Sequence, residues 1–259
     1  MVTFETKVWE NDWEYVLKGD YLAKMIANCN FNFTKKHVII NNVKNRILVE
    51  KLCEQKIKEG IIDNYFVVDD YESEVLNHFD LTIDSFKGGY CYSSAELVGI
   101  YICETEYLLH FSSDSFPVNN KVTWIDSALD IMNLNPHILV ANPTWNNKFE
   151  EAKIESFDEI NDFYVGYGFS DQVYLIRKTD FFKRIYHEKN SASDRYPKYG
   201  GELFEKRVDS FMRNNEKLRI THKGSSYISA NFPADWFSRK ILRKYISGQR
   251  INKMLSVKD

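Results

Sequence analysis

Polar residues gather where apolar runs stop. HVIINNV (37–43) ends on Asn41 and Asn42, DNYFVVDD (63–70) on Asp69 and Asp70, and EYLLHF (106–111) stops at Ser112, Ser113 and Asp114. If these runs are strands of an open α/β sheet, their carboxyl ends share one edge, where such sheets bind ligands. Plainer uses exist, because Asp and Asn cap helices and Ser and Asp favour turns. Further along, Glu202 and Glu205 follow Gly200-Gly201. Their spacing puts them on nearly one helix face. Either could take a proton from a hydroxyl within reach, and both also suit a solvated first turn. The Gly pair suggests a close approach of backbone or ligand and favours Glu202. Asp171, in GFSDQVY, is a third carboxylate candidate. His222 lies in THKGSS beside Lys223 and Gly224. It is either an exposed turn residue or a ligand, His being the commonest metal ligand.

The elements that must carry these residues follow from hydrophobic pattern. The strand at 37–43 leads to a helix at 45–59 that Gly60 closes. A strand at 63–70, a helix at 71–79 and a strand at 81–86 come next. A helix starting at Ser93 or Ser94 runs into the strand at 106–111. Trp124–Leu139 reads as a helix entering the strand ILVANPTW, and 163–185 holds further strand and helix. A loop and an amphipathic helix occupy 196–215, and 218–229 reads as strands joined by a His-Lys-Gly turn. This alternation argues for an α/β fold: a mixed, mainly parallel sheet flanked by helices. Residues 1–235 are expected to form one domain, with a basic C-terminal helix over 236–259. That helix could rest on an anionic lipid surface or be a solvated face.

Composition excludes several classes. The 259 residues carry 34 Lys+Arg against 37 Asp+Glu, a net charge of −3, which argues against a general nucleic-acid binder. A chain this long can bury a core without disulfides or a structural metal. Cys29, Cys53, Cys91 and Cys103 form no CxxC pair and read as buried, reduced thiols. The N-terminus is acidic where a signal peptide is basic, and no apolar stretch approaches the ~20 residues of a membrane span. A cytoplasmic protein, at most peripheral at a membrane, is the expectation.

SSAELVGIYICETEYLLHFSSDSF (93–116) resembles the nucleotide-sugar-binding half of GT-A glycosyltransferases, particularly the family 2-like enzymes. Ala95, Gly99 and Ile100 match the family's helix, and Glu106–Phe111 its strand. The DxD metal motif falls on Ser112, Ser113 and Asp114, so Ser112 replaces the first carboxylate. HVIINNV and VVDD look like the first two strands of that fold. VYLIRKTDFFKRI resembles the stretch before the acceptor-side helix, and GGELFEKR stands in place of the "ED" motif. The resemblance covers roughly 37–227, with a donor half at about 37–117 and an acceptor half at about 118–235.

The resemblance implies a GT-A-like domain that moves a sugar from a nucleoside diphosphate, UDP by preference. The acceptor would be a hydroxyl of a glycan or lipid-linked saccharide, in surface polysaccharide or glycan assembly, by an inverting single displacement. It implies Mn²⁺ or Mg²⁺ on Asp114, completed by His222. One protein carboxylate is sufficient for Mg²⁺ in principle, because phosphates and waters supply the other ligands. Asn41, Asn42, Asp69, Asp70, Ser94, Ser112 and Lys223 would contact the donor. Glu202 would be the base, with Glu205 and Asp171 as alternatives. Trp124 would face the acceptor, although packing is the commoner fate of Trp. Two other readings stand beside this one. The missing carboxylate suits a degenerate nucleotide- or glycan-binding domain. A nucleotidyltransferase uses a similar sheet, but usually carries a Gly-rich basic loop after its first strand, and NNVKNR has no glycine.

Overall fold

The computed structural model describes residues 1–118, 123–197, 200–230 and 232. The chain opens with β1 (Val2–Val8), followed by α1 (Trp13–Lys18), α2 (Tyr21–Asn28), β2 (Lys35–Ile40), α3 (Arg46–Lys58), β3 (Asn64–Val67) and α4 (Val68–Phe79). Short 3₁₀ turns at Ile83–Phe86 and Tyr90–Tyr92 lead to α5 (Ser94–Ile102), β4 (Tyr107–Phe111) and β5 (Ser115–Pro117). Then come α6 (Trp124–Leu134), β6 (Ile138–Trp145), α7 (Phe149–Ile154), β7 (Ser156–Ile160), β8 (Phe163–Gly166), β9 (Val173–Arg177) and α8 (Lys178–Phe181). A 3₁₀ turn at Ser191–Arg195, α9 (Phe204–Asn214) and β10 (Leu218–Ser229) complete the described chain.

The strands form one sheet in the order β3-β2-β1-β4-β9-β6-β10-β8-β7, with β5 paired to β10. β1, β2, β3, β4, β6, β7 and β10 run one way, and β5, β8 and β9 run the other. The expected mixed, mainly parallel α/β sheet is therefore present. One face packs Phe4, Val38 and Leu109 against Val16, Leu22, Val49 and Ile125 of the covering helices. The other packs Leu108 and Tyr174 against Val75, Val98, Phe204 and Val208. No helix among the described residues is long and apolar enough to cross a membrane.

Several local expectations change. β1, which the resemblance did not cover, lies inside the sheet between β2 and β4. HVIINNV is thus the second strand and NYFV the third. α4 begins at Val68, so Asp69 and Asp70 occupy a helix's first turn rather than a strand end. LTIDSF is not a strand: Thr82 caps a 3₁₀ turn by accepting a hydrogen bond from the Ser85 N–H at 3.2 Å. Residues 218–229 are one strand with an irregularity between His222 and Ser226. The four cysteines are free, but Cys91 is exposed. The basic segment 236–259 lies outside the described residues.

The Gly200-Gly201 pair serves backbone packing. Glu202 N–H donates to the Phe86 carbonyl at 2.9 Å. A Cβ on Gly201, whose φ is +68°, would stand 2.4 Å from that same oxygen. Gly201→Ala should therefore destabilise the fold by roughly 2–4 kcal/mol, combining left-handed strain with overpacking. Urea unfolding measures this, and an unchanged midpoint would contradict the packing described.

Candidate functional site

A charged, largely buried cluster lies at the carboxyl ends of β1 and β4. Lys7, near the end of β1, donates to the buried Glu96 carboxylate of α5 and lies 3.8 Å from an Asp171 oxygen. Asp171 comes from the loop before β9. Beneath Lys7 on the same face of β1, Glu5 Oε1 and His110 Nδ1 share a 3.0 Å hydrogen bond. Burial pushes the Glu5 carboxyl well up, and the Glu96 charge pushes it further. The same burial, then the Lys7 charge, pushes His110 well down. His110 is therefore neutral, stacked on Tyr174 with ring centroids 4.7 Å apart.

Asp114 sits in a turn closed by the Ser115 N–H donating to the Ser112 carbonyl at 2.9 Å. Burial raises its carboxyl above the ordinary range, while Lys7 opposes this and Asp171 adds to it. Ser112 faces Asp171, with its Oγ donating to the Asp171 carbonyl at 3.2 Å and its N–H to the Gln172 carbonyl at 2.7 Å. Ser113 Oγ instead donates to Asp12, which follows β1. Burial lifts Asp12 to about 7. Glu205, in the first turn of α9, joins the cluster. Burial and then the Asp171 charge lift it to about 8, against the Asp171 backbone N–H and Lys7. Several buried hydroxyls in and around this cluster, Thr6 Oγ1, Tyr21 OH, Ser115 Oγ and Tyr174 OH, have no hydrogen-bond partner among the described residues.

A cavity of about 300 Å³ opens along the same edge at the ends of β2 and β3. Ile40, Val43 and Val67 give it an apolar floor, with Asn42, Lys44 and Asp69 among its polar walls. Asn41 and Ser94 are beside it: Asn41 Nδ2 donates to the Cys91 carbonyl at 3.0 Å, and Ser94 Oγ donates to Asn41 Oδ1 at 3.3 Å. Asn42 Nδ2 donates to Asn41 Oδ1 at 2.8 Å.

The structure brings Asp114, Asp171 and Glu205 together, and gathers Asn41, Asn42, Ser94 and Asp69 around the cavity. Asp70 borders the cavity through Arg46, which lines it and holds the Asp70 carboxylate with hydrogen bonds of 2.7 and 2.6 Å. The remaining candidates fall elsewhere. Glu202 lies before α9 and 3.5 Å from each of Lys87 and Lys206. His222 turns Nδ1 onto its own backbone, accepting from the Gly224 and Ser225 N–H groups at 3.1 and 2.8 Å. It packs on Phe163, whereas the end of β10 at Tyr227–Ser229 is the part that reaches the Asp114 turn. Lys223 pairs with Glu159 at 2.7 Å on the β7–β8 side. Trp124 is 5% exposed and belongs to the core. Lys7, Asp12, Glu96 and Tyr21, which the sequence did not single out, join the cluster here. Glu96, a carboxylate between Ala95 and Leu97, was the available signal.

Among the described residues no three His, Cys, Asp or Glu side chains gather to hold a metal unaided. The cluster instead offers carboxylate oxygens and unpartnered hydroxyls. Such a set suits a hard cation that takes its other ligands from substrate and water.

No protein-family model and no curated protein matches the chain. Solved structures do. A UDP-glucose pyrophosphorylase complexed with UDP-glucose is similar over 95% of this chain and 98% of its own, with a TM-score of 0.52 and 9% identity. The two share a fold. The galactosyltransferase LgtC, in complex with donor and acceptor sugar analogues, matches 70% of the chain at TM-score 0.36 and 14% identity. The matched region spans only 59% of LgtC. TarS from S. aureus (residues 1–349) matches 99% of the chain and 75% of its own at TM-score 0.44 and 11% identity.

Glu205 gives a test of the cluster. Its folded value of about 8 exceeds the ordinary 4.5, so its contribution to stability is full below 4.5 and is lost as pH rises through 8. Glu205→Gln should flatten the decline in stability across that window, read by urea unfolding. Parallel wild-type and variant curves would remove Glu205 from a buried cluster.

Proposed function

We propose that this chain is a GT-A-like glycosyltransferase acting on a nucleoside-diphosphate sugar, with UDP as the nucleotide. The observation that carries the reading is a juxtaposition along one sheet edge. A cavity of nucleoside size, about 300 Å³, opens at the ends of β2 and β3, beside a carboxylate cluster at the ends of β1 and β4. The shared fold with a protein crystallised with UDP-glucose supports the choice of donor.

In this reading Asn42 and Asp69 hold the nucleoside, and Asn41 and Ser94 brace that wall. The diphosphate lies over Asp114, which with Asp171 nearby would hold Mn²⁺ or Mg²⁺. Such an ion, when bound, neutralises the departing diphosphate as a Lewis acid. Glu205 replaces Glu202 as the base. It lies in the cluster, and a value of about 8 is close to the pH at which a base works efficiently. The acceptor is a hydroxyl of a glycan or lipid-linked saccharide.

The overall match to a pyrophosphorylase favours nucleotidyl transfer as a second reading. The true first strand weighs against it. Its following loop, Trp9–Asp12, reads WEND, with neither glycine nor a basic residue. Turnover decides between the readings. With Mn²⁺ and UDP-sugars, the wild type should release UDP, and Glu205→Gln should lose roughly 10²–10⁴-fold while still binding UDP. Glu202→Gln should remain near wild type. UTP formed from UDP-glucose and pyrophosphate would support nucleotidyl transfer instead. UDP binding with neither product would mark a degenerate binding domain.

A further inference from the structure

The site proposed above lacks a carboxylate at the first position of the aspartate pair, where Ser112 stands. We propose that Asp12, delivered from the loop after β1, supplies that second carboxylate beside Asp114, and that Tyr21 and Ser115 line the same site for a hard divalent cation. This rests on the reading of Asp114 as a cation ligand.

Three observations support the assignment. Ser112 is no carboxylate, and both its hydroxyl and its N–H are committed to backbone carbonyls, those of Asp171 and Gln172. Asp12 is turned in. It is 3% exposed, its Oδ1 accepts from the Trp9 N–H at 2.7 Å, and its Oδ2 accepts from Ser113 Oγ, one residue from Asp114. Each carboxylate oxygen keeps a second lone pair for a cation.

The third observation concerns hydroxyls. Tyr21 is 3% exposed and Ser115 is fully buried, yet neither hydroxyl has a partner among the described residues. Tyr21 packs on Phe116, two residues past Asp114, with ring centroids 5.0 Å apart. Its phenol feels the charges of both Asp114 and Asp12. A buried hydroxyl left unpaired is costly. A buried, unpaired phenol beside Asp114 and Asp12, with the Ser115 hydroxyl next to Asp114 in sequence, makes an oxygen-only donor set, and Mg²⁺ commonly binds one or two protein carboxylates with substrate and water completing its shell. Lys7 does not fill the role, because its ammonium faces Glu96 and Asp171.

The test uses Mn²⁺ alone on the full chain, with free Mn²⁺ counted by electron paramagnetic resonance. Asp12→Asn and Asp114→Asn should each weaken binding by roughly tenfold or more, and Glu202→Gln should leave it unchanged. Thermal unfolding checks that each variant is folded. Should Asp12→Asn fail to fold, Ser113→Ala, which frees Asp12 from its tether, and Tyr21→Phe carry the test. A loss of Mn²⁺ affinity in both supports the site, and unchanged affinity in both overturns it. If Asp114→Asn loses Mn²⁺ while Asp12→Asn binds like wild type, the role of Asp12 falls and the reading of Asp114 stands. If the wild type binds no Mn²⁺, or neither Asp variant alters binding, both fall together.

Discussion

One ammonium group organises this protein's charged cluster. Lys7 stands on β1, hydrogen-bonded to Glu96 and 3.8 Å from Asp171. Its charge also acts on Glu5, Asp12, Asp114 and Glu205. Glu96 is fully buried, so removing its partner would leave an uncompensated charge costing about 3–5 kcal/mol. The surrounding architecture serves this contact. β1 is held in register by parallel partners on both sides, and α5 crosses above it. Gly99 makes that crossing possible, since a Cβ there would meet the Glu5 carboxylate at 2.2 Å.

A single lysine does not balance so many acids. Burial pushes Asp12, Asp114 and Glu205 toward their neutral forms. A site in that condition gains from an added positive charge, whether proton or cation. It would repel a diphosphate that arrived without one. The electrostatics thus support the proposal of a cation-assisted donor site more firmly than any one sequence motif does. They also account for the shift of the proposed base from Glu202, which two lysines neutralise at the surface, to Glu205.

The sheet was legible in the sequence because β-branched runs that end in polar residues leave a plain trace. Asn41 and Asn42 do follow β2, and Asp114 follows β4, as those runs suggest. β1 was not legible in this way. Its Thr3, Glu5 and Lys7 alternate with Val2, Phe4 and Val8, a pattern that suggests a half-solvated strand. In the fold Thr3 and Glu5 are buried as fully as Phe4, within a polar network that only tertiary structure reveals. Asp12 was hidden for the same reason, since its partner Ser113 is a hundred and one positions away. That the His222 ring accepts from its own backbone N–H groups was equally invisible in the sequence. Asp69 and Asp70 lie in a helix's first turn because α4 starts earlier than the apolar run suggests.

The account turns on where a donor lies. A crystal structure of the chain with UDP and Mn²⁺ tests this most directly. Uridine should occupy the cavity between Asn42 and Asp69, with its diphosphate over Asp114. Density for UDP against His222 and Lys223, or at any surface away from the carboxyl ends of β1 to β4, would contradict it.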